Sequence, residues 1–334
     1  MIKGVRLSNF GPIRSLTYSE FSKINLFIGA NRSGKTTLLK AMYSAIKAVE
    51  LYGRGKNIKK INELLFDKLY WTFQSDRIGD IASRPDNGAL IFSMTEDDGG
   101  MLSYSFSSKT EKQIVNISNT CAARNNDSVF IPAKEVLSLL DIIIQSREEQ
   151  RFGFDDTYYD LAKALRPTTQ GKNIKVFSKS RKELEGLIDG RLEYDKTMKK
   201  WIFTQGRQKF DITLTSEGTK KIAILDTLLG NHYLSKSSII FIDEPEAGLH
   251  PELLVKFLDI ISMLSDCGIQ VFIASHSYFV IKKLYLIAQK KNESLPVISF
   301  GNNGNIQYAD LQHGMPDNPI ISQSVELYKE EMSL

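Results

Sequence analysis

Gly29-Ala-Asn-Arg-Ser-Gly34-Lys35-Thr36 follows an apolar run and opens a helix-forming one. Its spacing, GxxxxGK[ST], is that of a phosphate-binding loop, and the strand before it and helix after it are the context the pattern needs. Glycines let the backbone wrap phosphate oxygens, and the start of a helix adds partial positive charge. Lys35 can reach the β and γ phosphates of a nucleoside triphosphate, and the Thr36 hydroxyl can ligate magnesium. Gly29, Asn31, Arg32, Ser33, Gly34, Lys35, Thr36 and Thr37 are therefore the candidate nucleotide-binding residues, with Lys35 also a catalytic candidate.

The second signal is Ile239-Ile-Phe-Ile242-Asp243-Glu244-Pro245, an apolar strand ending in two acids. A parallel sheet presents ligand-binding groups at that end of its strands. Asp243 is placed to hold magnesium together with Thr36, and Glu244 to polarise an attacking water, which needs a carboxylate within hydrogen-bond reach. A solvated acid pair at a strand end is the bland reading. The phosphate loop far upstream favours the catalytic one.

The remaining pattern must position these groups. Ile2 to Phe10, Ser15 to Phe21 and Ile24 to Ile28 predict strands, and Thr36 to Glu50 predicts a helix with Leu38, Met42, Ala45, Ile46 and Val49 on one face. Leu51 to Asp127 reads as peripheral strands and loops, with a hairpin of Ala89 to Thr95 and Met101 to Ser107 turning through Asp-Asp-Gly-Gly. A strand at Ser128 to Ala133 precedes segments Glu135 to Arg166 and Lys179 to Ile188, which read as helical and stop near Pro167 and Gly190. A helix near Ser216 to Leu234, a strand at Ser238 to Ile242, a helix at Pro251 to Cys267 and a strand at Ile269 to Ala274 restore strand–helix alternation. That alternation predicts an α/β fold with a parallel sheet. A helix at Tyr278 to Lys290 and strands Pro296 to Phe300 and Asn305 to Tyr308, joined by Gly-Asn-Asn-Gly, complete the reading.

The chain has 334 residues, 42% hydrophobic, enough for one large domain with an insertion. Its 43 Lys and Arg against 39 Asp and Glu give a net charge of +4, too mild to demand nucleic acid. Lys56, Lys59 and Lys60, Arg147 and Arg151, and the run Lys172 to Lys182 could contact a phosphate backbone, although a solvated surface is the ordinary reading. Cys121 and Cys267 suggest neither a disulfide framework nor a zinc site, which makes a reducing cytoplasm the simplest compartment. The first residues read as a strand rather than a secretory leader, and no run is long enough to predict a membrane span.

Thr215-Ser216-Glu217-Gly218-Thr219 before a helix resembles the SxG signature of ABC-type ATPases, and it precedes the Asp-Glu pair as in that family. Glu246-Ala-Gly248-Leu249-His250-Pro251 resembles the D-loop of the SMC, RecF and OLD branch, and Ala274-Ser275-His276-Ser277 resembles its switch-histidine loop. Arg6-Leu-Ser-Asn9-Phe10-Gly11 is similar to the opening of the same branch, where the first strands lie beside the nucleotide base. The implied fold is a P-loop NTPase of ABC type, with a mixed central sheet, flanking helices, N-terminal antiparallel strands and a helical insertion. The implied division is residues 1–133 and 213–310 for the core, 134–212 for a mainly helical insertion bearing the signature lobe, and 311–334 for a tail.

The resemblance implies ATP and Mg2+ as cofactors and a second copy of the chain as partner. Ser216 and Gly218 would contact the γ phosphate held by that copy, and His276, a catalytic candidate, the one held by its own protomer. A hydroxyl, backbone N–H groups and a helix start at Ser216 do make a second anion site, a simple helix cap being the bland reading. The signature lacks the double glycine and glutamine of transporter subunits, and the glutamine loop has only Gln74 and Gln145 as candidates. Phe130 to Glu135 is similar to the lobe junction of small prokaryotic ATPases of this branch. The Gly-Leu-His-Pro loop is also similar to those of anti-phage ATPases such as Septu, PARIS and retron-associated proteins. The expected function is thus an ATPase that closes on ATP and controls a separate nuclease or toxin, the alternative being a RecF-like ATPase acting directly on DNA.

Overall fold

The structure, a computed structural model, describes residues 1–54, 59–83, 88–166, 175–195, 197, 200–301 and 304–334. Lys56, Pro167, Lys172 and the two asparagines of the Gly301–Gly304 turn, all singled out in the sequence, lie outside the described residues.

Strands β1 (Ile2–Phe10), β2 (Ile13–Tyr18) and β3 (Ile24–Gly29) lead into helix α1 (Lys35–Leu51). Helix α2 (Ile61–Phe73), strands β4 (Leu90–Glu96), β5 (Met101–Phe106), β6 (Asn116–Asn119) and β7 (Val129–Ile131) follow. Helices α3 (Leu140–Glu148), α4 (Asp156–Leu165) and α5 (Ser178–Ile188) then precede strands β8 (Arg191–Asp195), β9 (Lys200–Gln205) and β10 (Gln208–Asp211). The chain continues through α6 (Glu217–Gly230), β11 (Ile239–Asp243), α7 (Pro251–Asp266), β12 (Gln270–Ser275), α8 (Tyr278–Lys291), β13 (Pro296–Phe300), β14 (Ile306–Asp310) and α9 (Pro319–Met332).

The central sheet runs β14-β13-β3-β12-β11-β7, parallel throughout except for the antiparallel edge strand β14. Every residue of β3, β11 and β12 is buried, which is why these strands read as continuous apolar runs and not as alternation. Side chains still alternate between the two faces. Leu26, Ile240, Ile242, Val271 and Ile273 face the core shared with α4 to α8. Phe27, Phe130, Phe241, Phe272 and Ile298 face the core shared with α1 and the N-terminal strands. On that second face Phe130, Phe241 and Phe272 stack in register, with ring planes within 13° of parallel, and Tyr43 of α1 meets the first two edge-on.

The N-terminal strands form a second, antiparallel sheet in the order β2-β1-β4-β5-β6. Helix α1 lies between it and the central sheet, so its polar Ser44, Lys47 and Glu50 are buried along with its apolar stripe. Lys47 is kept charged by partners on three sides. It donates to Glu50 at 3.0 Å, to the Ser128 carbonyl at 3.0 Å and to the Tyr233 hydroxyl at 3.0 Å. Further along the same helix Lys40 pairs with Asp155 at 2.6 Å and the Tyr43 hydroxyl donates to Asp160 at 2.8 Å. Lys68 of α2 joins Asp156 and Asp160 at 2.8 and 2.7 Å, so α1, α2 and α4 are tied by one buried charged network.

Three regions differ from the sequence reading. Residues 61–73, read among peripheral strands and loops, form α2, because Leu64, Leu65 and Leu69 pack at helical spacing on the α1 side. Residues 134–212 are helical only as far as Ile188. Beyond it β8, β9 and β10 form a three-stranded antiparallel sheet, whose alternation of Leu192, Tyr194, Trp201 and Phe203 is diluted by charged neighbours. The final segment is a helix, α9, capped by the Asn318 side chain on the Ile320 N–H at 3.0 Å.

Gly29, the last residue of β3, has φ of +148°, and a methyl group there would lie 2.3 Å from the Phe300 carbonyl oxygen. Gly29→Ala combines a backbone conformation that side chains avoid with a clash against a paired strand. It is expected to cost at least about 1–3 kcal/mol and to lower the melting temperature by several degrees, measurable by calorimetry.

Candidate functional site

In the central sheet four strands end side by side: β3 at Gly29, β12 at Ser275, β11 at Asp243 and β7 at Ile131. The sheet therefore delivers the phosphate-type loop, the Ser-His loop, the acid pair and the Pro132–Glu135 junction to one edge. The phosphate-type loop lines a cavity of about 360 Å3 between Pro12 and residues Arg32 to Thr37. Pro12 belongs to the β1–β2 turn, so the N-terminal sheet borders the loop as the resemblance implied. A larger cleft, about 640 Å3, lies between α3 and the β8–β10 sheet and contains none of these residues. Chemistry, not size, selects the smaller one.

Lys35 is only 6% exposed, and its ammonium donates to the carbonyls of Gly29 and Ala30 at 2.8 Å each. Burial lowers its pKa, against the pull of Glu244 and Asp243. Ser33 Oγ is buried and has no hydrogen-bond partner among the described residues. Asn31 and Arg32 are exposed, and Arg32 has a left-handed backbone with φ of 63°. A phosphate chain fits this arrangement. It can accept from the loop N–H groups, the Ser33 hydroxyl and the lysine.

Thr36 Oγ1 donates to both oxygens of Asp243, at 3.0 and 3.1 Å. Asp243 is 8% exposed, and burial raises its pKa to about 6, opposed by the Thr36 hydrogen bond and reinforced by the charge of Glu244. The pair offers hard oxygen donors in a geometry suited to magnesium, which takes few protein ligands and completes its shell with water and phosphate. The same two residues that the sequence assigned to the metal are thus in direct contact.

Glu244 follows with a left-handed backbone, φ 48°. Its carboxylate lies 3.4 Å from Nδ1 of His276, which is half-exposed and also 3.6 Å from Glu246. Glu246 accepts from the Ser275 hydroxyl at 2.8 Å and from the His276 N–H at 3.0 Å, fixing the loop that carries the histidine. Sequence reasoning placed Glu246 in the D-loop segment without a task. Its signal, an acid two positions after Glu244, has meaning only once β11 and β12 are known to be neighbours.

Ser216 and Gly218 stand at the start of α6, with Gly218 against Gly248 of the loop that follows the acid pair. Ser216 caps α6, accepting from the Thr219 N–H at 3.1 Å, and is exposed. Among the described residues no hydrogen bond joins Ser216 or Gly218 to residues 29–37. Neither glutamine-loop candidate meets the Thr36–Asp243 pair: Gln145 donates to Glu149 at 2.8 Å, and Gln74, at the end of α2, has a buried Nε2 without a partner. His250 caps α7 by accepting from the Glu252 N–H at 3.3 Å.

Two family models match the parts of the chain that carry this site. Residues 1–69, with the first strands, loop and α1, match the family described as "AAA ATPase domain". Residues 122–282, with the acid pair and the Ser-His loop, match "AAA domain, putative AbiEii toxin, Type IV TA system". Both matches are to AAA domains, and together they span the phosphate-type loop, the acid pair and the Ser-His loop. A Helicobacter pylori protein named ATP/GTP phosphatase is 23% identical, over 87% of this chain and 90% of its own. An SMC head bound to the C-terminal winged-helix domain of ScpA superposes with a TM-score of 0.55 at 12% identity, covering 92% of this chain and 97% of that one. An SMC head with extended coiled coil bound to the C-terminal domain of ScpA, from Pyrococcus furiosus, gives 0.52 at 12% identity over 99% of both. The likeness to the SMC heads is one of fold. The AAA domain matches and the phosphatase relative support ATP hydrolysis as the activity.

Proposed function

We propose that this ATPase binds ATP with Mg2+ on the residues assembled at the sheet edge, closes head to tail on a second copy, and by closing controls a separate effector protein in defence against phage. Gly29, Asn31, Arg32, Ser33, Gly34, Lys35, Thr36 and Thr37 hold the phosphates, Thr36 and Asp243 hold the metal, Glu244 polarises the attacking water, and His276 contacts the γ phosphate. Magnesium supplies charge neutralisation on the phosphates when bound.

The observation that carries the dimer is the location of Ser216. It crowns an exposed helix start with no hydrogen bond to residues 29–37 among the described residues, which supports its meeting the nucleotide of another copy. Contacts to the γ phosphate made only in the closed state would make ATP favour closure and hydrolysis release it. The SMC heads in the comparison are bound to ScpA, which supports a second protein as the output, and the family description naming a putative AbiEii toxin of a Type IV TA system supports the defence reading. No described helix is long and apolar enough to cross a membrane, and Cys121 and Cys267 are free thiols, in keeping with a cytoplasmic location.

Direct action on DNA has less support. Arg147 pairs with Asp156 at 3.0 Å and stacks on Trp71, and Arg151 pairs with Glu149 at 3.1 Å, so these basic residues are already engaged. The test is the mass and composition of the complex purified with the products of neighbouring genes, with and without ATP and Mg2+. A copurifying nuclease or toxin is the expected outcome. A lone ATP-dependent dimer that binds DNA with a steep salt dependence would transfer the reading to repair.

A further inference from the structure

The first turns of α6 are fastened to the turn that carries Glu244. Lys221, in the second turn of α6 and 3% exposed, spends its hydrogen bonds on main chain: its ammonium donates to the Glu244 carbonyl at 3.0 Å and to the Ala247 carbonyl at 2.9 Å. Burying an ammonium is costly, and this one is surrounded by acids, Asp243, Glu244, Glu246 and Glu217, yet makes no ion pair among the described residues. Its geometry is that of a pin through a turn.

Glu244 is a residue whose backbone needs holding. Its φ of 48° is disfavoured for any residue with a side chain. The N–H of Glu244 donates to the Ala274 carbonyl at 2.9 Å, and its carbonyl accepts from the Ala247 N–H at 3.0 Å as well as from Lys221. The direction of the carboxylate therefore depends on the end of β12 on one side and on α6 on the other.

A second contact prevents α6 from sliding relative to this turn. A methyl group on Gly218 would lie 2.8 Å from the Gly248 carbonyl oxygen, and one on Gly248 would lie 3.0 Å from Cβ of Glu217. Helix and loop touch almost backbone to backbone at Gly218 and Gly248, and again through Lys221 at Glu244 and Ala247. Two such attachments make the start of α6 and residues 244–248 one rigid body.

We infer that Lys221 is a positioning residue that ties the orientation of Glu244 to the position of α6, so that engagement of Ser216 by the nucleotide on a second copy is transmitted to the protomer's own Glu244. The second half of this inference rests on the reading of Ser216 given under Proposed function. The link from Lys221 to Glu244 lies within one chain and does not.

Lys221→Met keeps the length of the side chain and removes its donors. Its expected effect is a fall in kcat of about 10- to 100-fold, as for a small misplacement of a catalytic group, with KM for ATP and the affinity for a fluorescent ATP analogue unchanged. Lys221→Arg, which keeps donors, is expected to recover most of the loss. In a Glu244→Gln background Lys221→Met is expected to cause no further loss of turnover, because it acts through the group already removed.

An unchanged kcat would overturn the inference. So would an equal fractional loss in both backgrounds, or a rise in KM with kcat retained, each of which would mark Lys221 as a structural lysine. If Lys221→Met does not fold, Lys221→Gln, with a shorter reach, is measured in the same cycle and read in the same way. Ser216→Ala tests the other half. Loss of ATP-dependent dimers supports transmission between copies, whereas full turnover by a monomer insensitive to Ser216→Ala overturns that half and the dimer reading together, leaving the Lys221 cycle to decide the link within the chain.

Discussion

Glu244→Gln is expected to reduce ATP turnover by about 10²- to 10⁴-fold, the range for loss of a general base, while leaving ATP bound. The carboxylate sits beside His276 at 3.4 Å, one residue beyond the Thr36–Asp243 pair, and is partly exposed. A glutamine keeps the size of the side chain and its place beside His276, and the backbone turn at φ 48° is unaltered by the change. What disappears is the ability to take a proton from water. If closure on a second copy depends on the γ phosphate, the same change also lengthens the lifetime of the closed form, because the event that ends it has been removed. Light scattering with ATP and Mg2+, set beside phosphate release, measures both. Wild-type turnover in Glu244→Gln would remove Glu244 from the chemistry, and equal dimerisation without nucleotide would sink the ATP switch.

The outline of this site is legible in the sequence because its parts lie where local patterns are strongest. β3, β11 and β12 are apolar runs buried on both faces, and each ends in residues whose types announce their chemistry: Gly29 to Thr36, Asp243 with Glu244, and Ser275 with His276. Parallel strands all end on the same edge, so their juxtaposition follows from the fold class. Groups that act through main chain are another matter. Lys221 looks like any lysine on a helix, and its two carbonyl partners can be known only when α6 is laid against the 244–247 turn. Glu246 is similarly silent until β11 and β12 are neighbours. Helix α2 was obscured because its polar Asn62, Glu63 and Asp67 interrupt the stripe, and the β8–β10 sheet because charged residues break its alternation.

Lys35→Ala is expected to weaken ATP binding by about 10- to 100-fold, the 1.5–3 kcal/mol of a hydrogen bond to a charged group, and with it to abolish closure. The ammonium donates to the carbonyls of Gly29 and Ala30, so the side chain lies along its own loop. The side chain is thus held near its working place at a cost. Burial lowers its pKa, so the folded chain disfavours the charged form relative to the unfolded one, and this penalty is present at neutral pH and fades as pH rises through the ordinary lysine range. Removing the charge relieves that penalty while leaving two carbonyls short of a donor, and these effects oppose each other. The melting temperature without nucleotide should therefore change little, whereas the rise that ATP gives the wild type should be lost. Thermal scans with and without ATP and Mg2+ separate the two. A large fall in the nucleotide-free melting temperature would instead make Lys35 a structural residue of the loop.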